Sequence, residues 1–192
     1  MQPRRVRADA RRNIGAVLTA AKEVFEESGV DAPVRDIASR AGVGVATLYR
    51  HFPQRSDLIV AVFQHEIDEC ADAAAVLADQ HEPGDALIAW LRRYTRLIAT
   101  KRGLAAVLHS GDPAYDALPA YFDARMEPAL AALLHSAAEA GFIRTGAAPA
   151  DLLRAVATLC MPADAEESGH AQRMVDLLVD GLRFRAGRQE PR

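Results

Sequence analysis

The stretch from Val34 to Phe52 limits what this chain can fold into more than any other. Val34, Ile37, Ala38 and Ala41 recur at i, i+3, i+4 and i+7, which gives a short helix one apolar face. Gly42 can adopt positive φ and end that helix. After Gly42-Val43-Gly44, apolar character returns at Val45, Leu48 and Phe52 with helical spacing. Two short helices joined by a tight, glycine-containing turn predict a helix-turn-helix. With Leu48 and Phe52 turned inward, the 3.6 period turns Ala46, Thr47, Arg50 and His51 outward and leaves Tyr49 on the flank. Small residues, hydrogen-bonding groups and a cation on one face suit a helix laid in a major groove, and Val45 at its head joins the contact candidates.

Charge distribution points the same way. The formal net charge is −3, but residues 1–55 carry 10 Lys+Arg against 6 Asp+Glu, and residues 56–192 carry 13 against 20. A basic N-terminal module on an acidic body is what phosphate binding by one end requires, though a solvated charged surface gives the same count. Residues 1–12 hold Arg4, Arg5, Arg7, Arg11 and Arg12 without an apolar pattern. They are read as a disordered basic arm, either laid along a phosphate backbone or into a minor groove, or as a tail without function.

Ile37-Ala38, Ala41-Gly42-Val43 and Thr47-Leu48-Tyr49-Arg50-His51-Phe52, followed by Arg55 and Leu58, closely resemble the tetracycline-repressor (TetR) family of one-component transcriptional regulators. The match extends back through Val17-Leu18, Ala20-Ala21, Phe25 and Gly29, covering roughly residues 12–60. Position 44, usually Ser in that family, is Gly here, and position 34, often Thr, is Val. The resemblance implies base or phosphate contact by Arg35, with a solvated Arg as the alternative. It also implies phosphate contact by Tyr49, His51 and Arg55. At Arg55 the helix N-terminus would add to the cation's attraction for phosphate, with Ser56 as a candidate N-cap.

The rest of the chain reads as all-α, with about nine helices in total. Apolar stripes and Gly/Pro punctuation predict helices near 13–28, 58–79, 85–100, 103–109, 117–140, 149–160 and 168–184. The expected organisation is the basic arm (1–12), a three-helix DNA-binding domain (13–57) and a larger helical domain (58–192). In the resembling family the middle helices enclose an apolar effector pocket. Trp90, Tyr94, Leu104, Leu108, His109, Tyr121, Phe122 and Met126 are the candidates to line it, with Tyr115 and Leu130 nearby; ordinary core packing is the alternative for each. The last two helices carry apolar faces wide enough to pair with a second copy. Leu152, Val156, Leu159, Met174, Leu177, Leu178 and Leu182 form them, and Ala155 and Gly181 allow close approach. The resemblance likewise implies a homodimer on a near-palindromic operator, in which a small-molecule effector shifts the population of spacings between two recognition helices; repression is the expected sign.

Other classes find little support. GxSxG, HExxH, GxGxxG and P-loop patterns are missing from the sequence, so no enzyme activity and no cofactor are expected. His51, His65 and Glu66 lack a second ligand at metal spacing, so no metal is expected. Cys70 and Cys160 have no CxxC spacing and read as reduced core thiols, a redox sensor being the alternative. No apolar stretch approaches 18 residues and the N-terminus is charged, so the reading is a soluble cytoplasmic protein without a membrane partner. A helical protein-interaction module that does not bind DNA remains the rival function.

Overall fold

The computed structural model describes the backbone of residues 3–108, 110–160 and 169–183, and side chains over 14–98, 110–160 and 169–183. Eight α-helices and one short 3-10 turn, and no strand, occur among the described residues. The helices are α1 (Pro3–Ser28), α2 (Val34–Arg40), α3 (Val45–His51), α4 (Arg55–Gln80), α5 (Pro83–Leu108), α6 (Leu118–Glu139), α7 (Pro149–Leu159) and α8 (His170–Arg183), with the 3-10 turn η1 (Pro113–Tyr115) between α5 and α6.

Three boundaries differ from the sequence reading. The helix expected to begin near Asn13 begins at Pro3, so the basic stretch over 3–12 is helical rather than a disordered arm. Proline suits a first helical position, and the Ala and Arg residues that follow are good helix formers. Residues 85–100 and 103–109, expected as two helices, are one: α5 runs through Gly103. An interior Gly costs a helix only about 1 kcal/mol relative to Ala, which the flanking Leu and Ala residues tolerate. The gap between the helices expected near 58–79 and 85–100 narrows, because Pro83 and Gly84 already belong to α5.

Two compact units emerge, each with its own apolar interior. The first comprises Met1–His65 together with Arg102–Leu118. Its core contains Val17, Ala21, Val24 and Phe25 of α1, Ile37 and Ala38 of α2, Leu48 of α3, and Leu58, Ile59 and Val62 of α4. Tyr115 of η1 is buried in the same unit. The second comprises Glu66–Lys101 and Pro119–Arg192. Trp90, Leu91, Met126, Leu130, Leu133, Leu153, Val156 and Val175 are among its buried residues.

Within the second unit one ring ties three segments together. The Phe142 ring lies so close to Gly84, at the start of α5, that a Cβ there would meet ring carbons at 2.4–2.5 Å. On the same ring sits the guanidinium of Arg183, 4.1 Å from the centroid. The Arg144 amide donates to the Leu182 carbonyl at 2.9 Å, closing the α6–α7 connection onto the end of α8.

Candidate nucleic-acid interface

The helix-turn-helix forms as its sequence pattern dictates. The α2 helix packs on both α1 and α3. It ends at Ala41, and Gly42 takes φ +67°, a conformation costly to residues with a Cβ. The Val43 amide donates to the Ala38 carbonyl at 3.0 Å, which draws the turn tight. The α3 helix is only seven residues long, and Leu48, 2 % exposed, is its one buried residue. Phe52 follows as the C-cap and is buried as well. Gly44, standing where the resemblance expects Ser, makes no side-chain cap.

With those anchors inward, Val45, Ala46, Tyr49, Arg50 and His51 are exposed and Thr47 is half-buried. The side chains of Tyr49 and Arg50 make no hydrogen bond or ion pair among the described residues. Arg35, at the start of α2, is 80 % exposed at its side chain and lies 3.5 Å from Asp36. Arg40 is instead engaged: its guanidinium donates to both Glu27 carboxylate oxygens at 2.7 and 2.8 Å, holding that carboxyl below its ordinary pKa.

Arg55, expected as a phosphate ligand, makes contacts within its own chain. Its Nε–H donates to the Val30 carbonyl at 2.9 Å, and Nη1 donates to the Ala32 carbonyl at 3.0 Å, with Nη2 sharing the same acceptor. The cause lies in the α1–α2 loop, where Pro33 has no N–H to offer and the carbonyls turn toward α4. Ser56 does not cap α4 either; the Asp57 carboxylate accepts from the Gln54 amide at 2.8 Å.

In the second unit, the aromatic cluster expected to line an effector pocket is mostly closed core. Trp90 stacks on Tyr94 at 5.8 Å and donates through Nε1 to the Cys70 carbonyl at 2.8 Å. Tyr94 is fully enclosed; its hydroxyl donates to the Leu153 carbonyl at 3.1 Å, and burial pushes its pKa up. Met126 is buried and Phe122 half-buried, 6.1 Å from the Tyr94 ring. Tyr121 is held by Asp68 at 2.8 Å, in a cluster where Arg125 bridges Asp68 and Asp72, both at 2.7 Å. Leu104, Leu108 and His109 lie outside the residues whose side chains are described. Tyr115 belongs to the other unit.

A cavity of about 630 Å³ opens instead between α4 and α6. Ala71, Ala74, Ala75 and Ala78 line one side, Ala124, Pro128, Ala129, Ala132 and Leu133 the other, with Asp72 and Arg125 at its edge. Pro128 brings no N–H to the interior of α6, so the Ala124 carbonyl has no i+4 donor. Both cysteines are buried and neither forms a disulfide; desolvation pushes Cys70 up to about 12.

The faces of α7 and α8 divide more narrowly than expected. Leu152, Val156 and Leu182 are buried in their own chain, because α7 packs on α8 along that stripe. Leu159 and Leu177 remain 40 % and 63 % exposed, Gly181 is exposed, and Ala155, Met174 and Leu178 are half-buried.

A model of the tetR family of bacterial regulatory proteins matches residues 17–62, and one of the SbtR-like transcriptional regulator C-terminal domain matches residues 82–184. The solved TetR regulator SCO0520 from Streptomyces coelicolor is 37 % identical and covers 88 % of this chain and 97 % of its own, with a TM-score of 0.76. The chain belongs to the TetR family. A TetR regulator from Mycobacterium vanbaalenii is similar too, at 34 % identity, 93 % and 99 % coverage and a TM-score of 0.71. A curated HTH-type transcriptional regulator of Staphylococcus aureus (strain USA300) is 39 % identical over 64 residues, which are 33 % of this chain and 35 % of that protein. The chain thus spans about a third of the length of the curated relatives it matches.

As a TetR-family member the protein is a transcriptional regulator with a helix-turn-helix DNA-binding domain, in a family that does not consist of enzymes. Among the described residues no helix is long and apolar enough to cross a membrane. Sequence reasoning missed the carbonyl contacts of Arg55 and the α4–α6 cavity. The proline inside α6 was a visible signal for the second; nothing local signalled the first.

Proposed function

We propose that this TetR-family regulator binds a near-palindromic operator as a homodimer through the outer face of α3, acts as a repressor, and is released by a small molecule. One observation carries the reading: Val45, Ala46, Tyr49, Arg50 and His51 are exposed on a helix whose opposite side is anchored by Leu48. Small residues at the helix head admit close approach to base edges, while Tyr49 and Arg50 reach bases or phosphates. Arg35, at the head of α2, supplies a second basic position. Tyr49→Ala and Arg50→Ala should each weaken binding of duplexes selected from fragmented genomic DNA by about tenfold. Where the lost contact is Arg50 to phosphate, the salt slope should fall by about 0.9 per subunit. Binding by fluorescence anisotropy that ignores salt, and both substitutions, would refute the interface.

Dimerisation is assigned to the outer sides of α7 and α8, on Leu159, Leu177, Leu178, Met174, Ala155 and Gly181. Leu152, Val156 and Leu182 support that surface from within. An exposed Leu tolerates a charge in the monomer, whereas an interface Leu does not. Leu177→Asp should therefore halve the mass seen by sedimentation and abolish operator binding, with the helical circular dichroism unchanged. An unaltered sedimenting mass would place the interface elsewhere.

Small-molecule control is typical of the family, and we assign the effector to the 630 Å³ cavity between α4 and α6. Its volume and apolar lining suit a small organic ligand, with Asp72, Arg125 and the Ala124 carbonyl as its polar fixtures. Tyr121, Phe122 and Met126, on the same stretch of α6, would adjust around a bound ligand. A differential affinity of about 1–3 kcal/mol between operator-competent and incompetent states is enough to change occupancy. A thermal-shift screen, followed by operator release with each hit, tests this assignment.

A further inference from the structure

Half-buried Arg55 directs three of its five N–H donors to backbone carbonyls of its own chain. Nε–H reaches the Val30 carbonyl and both terminal nitrogens reach the Ala32 carbonyl, so the guanidinium spans the loop that feeds α2. Its backbone is the first residue of α4, and that helix start is itself fixed by the Asp57–Gln54 hydrogen bond. On the far side, Ala32 is buried at 4 % exposure and Pro33, the N-cap of α2, contributes no side-chain cap. A seven-residue helix entered this way has little of its own to hold its start. The α2 helix in turn packs on α3. Tyr115, buried in the same unit, lies within the field of the Arg55 charge, which opposes the rise that burial imposes on its hydroxyl pKa.

We infer that Arg55 is a positioning residue for DNA binding: it ties the α1–α2 loop to the start of α4, fixes the setting of α2 and hence α3, and makes no phosphate contact itself. The inference rests on the α3 interface proposed above. A planar guanidinium forks to two carbonyls of one loop, and an ammonium, as a point charge, does not reproduce that span. A phosphate contact made by charge alone would tolerate Arg55→Lys, since lysine serves phosphate as a point charge.

The test compares Arg55→Lys and Arg55→Ala with the wild type in the full-length protein. Affinity for a duplex that the wild type retains from fragmented genomic DNA is measured against salt, well below the unfolding temperature. Amide exchange is followed by mass spectrometry over residues 30–40. Positioning requires that both variants lose about tenfold in affinity, the scale of one charge-assisted hydrogen bond, with the salt slope unchanged. It also requires faster exchange in α2 than elsewhere. Wild-type affinity in Arg55→Lys, or a slope reduced by about 0.9 per subunit, would make Arg55 a phosphate ligand and overturn the inference. Unchanged affinity with faster exchange would reduce it to a stabilising contact, which also overturns it. If the wild type retains no duplex, the interface proposal fails on that ground alone. Exchange over α2 then decides the clamp: unchanged rates in both variants overturn it.

Discussion

Leu48→Ala is expected to abolish operator binding and to lower the stability of the first unit by about 2–5 kcal/mol, the usual range for a buried leucine truncated to alanine. The reason is the economy of α3. It has seven residues and buries only Leu48, with Phe52 at its C-cap. An isolated helix of that length does not persist in water, so its attachment is tertiary. Removing the side chain loosens the whole exposed face at once, including Tyr49 and Arg50. Far-UV circular dichroism should fall little, because α3 is a small part of a highly helical chain. Retained binding together with an unmoved thermal midpoint would show that α3 is held by something other than Leu48.

Gly84→Ala should have the opposite sign to the one helix propensity gives. In an open helical position the change stabilises by about 1 kcal/mol. Here the added methyl would sit 2.4–2.5 Å from three carbons of the Phe142 ring. That half-buried ring carries the Arg183 guanidinium 4.1 Å from its centroid, so moving it away also disturbs that contact. Overpacking of this kind costs about 1–3 kcal/mol, enough to outweigh the propensity gain and lower the midpoint by several degrees. The control is a double-mutant cycle: with Phe142→Ala in place, Gly84→Ala should become neutral or stabilising. A stabilising Gly84→Ala in the wild-type background would show that the ring yields easily.

What the sequence disclosed, and what it withheld, follows from the range of the interactions involved. The helix-turn-helix was legible because its evidence is local: the spacing of Ile37, Ala38, Leu48 and Phe52, and Gly42 where positive φ is needed. The α5 helix was misjudged because a single Gly103 carries less weight than its helix-forming neighbours. The carbonyl contacts of Arg55 were not legible, since its acceptors lie 25 and 23 residues away and are backbone groups that no residue type advertises. Trp90 and Tyr94 stood as pocket candidates through the family resemblance, with ordinary core packing as the alternative. Their hydrogen bonds to Cys70 and Leu153 carbonyls, visible only in three dimensions, make them core. The stripes on α7 and α8 were legible as apolar faces, but only packing distinguishes the buried Val156 from the exposed Leu177.

The inclusion of Arg102–Leu118 in the first unit has a consequence for anyone wishing to borrow the reader. A domain-swap chimera cut after His65 would carry all three helices of the motif yet abandon Tyr115, leaving a hole where its ring belongs. The specificity of this regulator is therefore not portable as an N-terminal cassette: a graft must bring a discontinuous piece of the chain along with it.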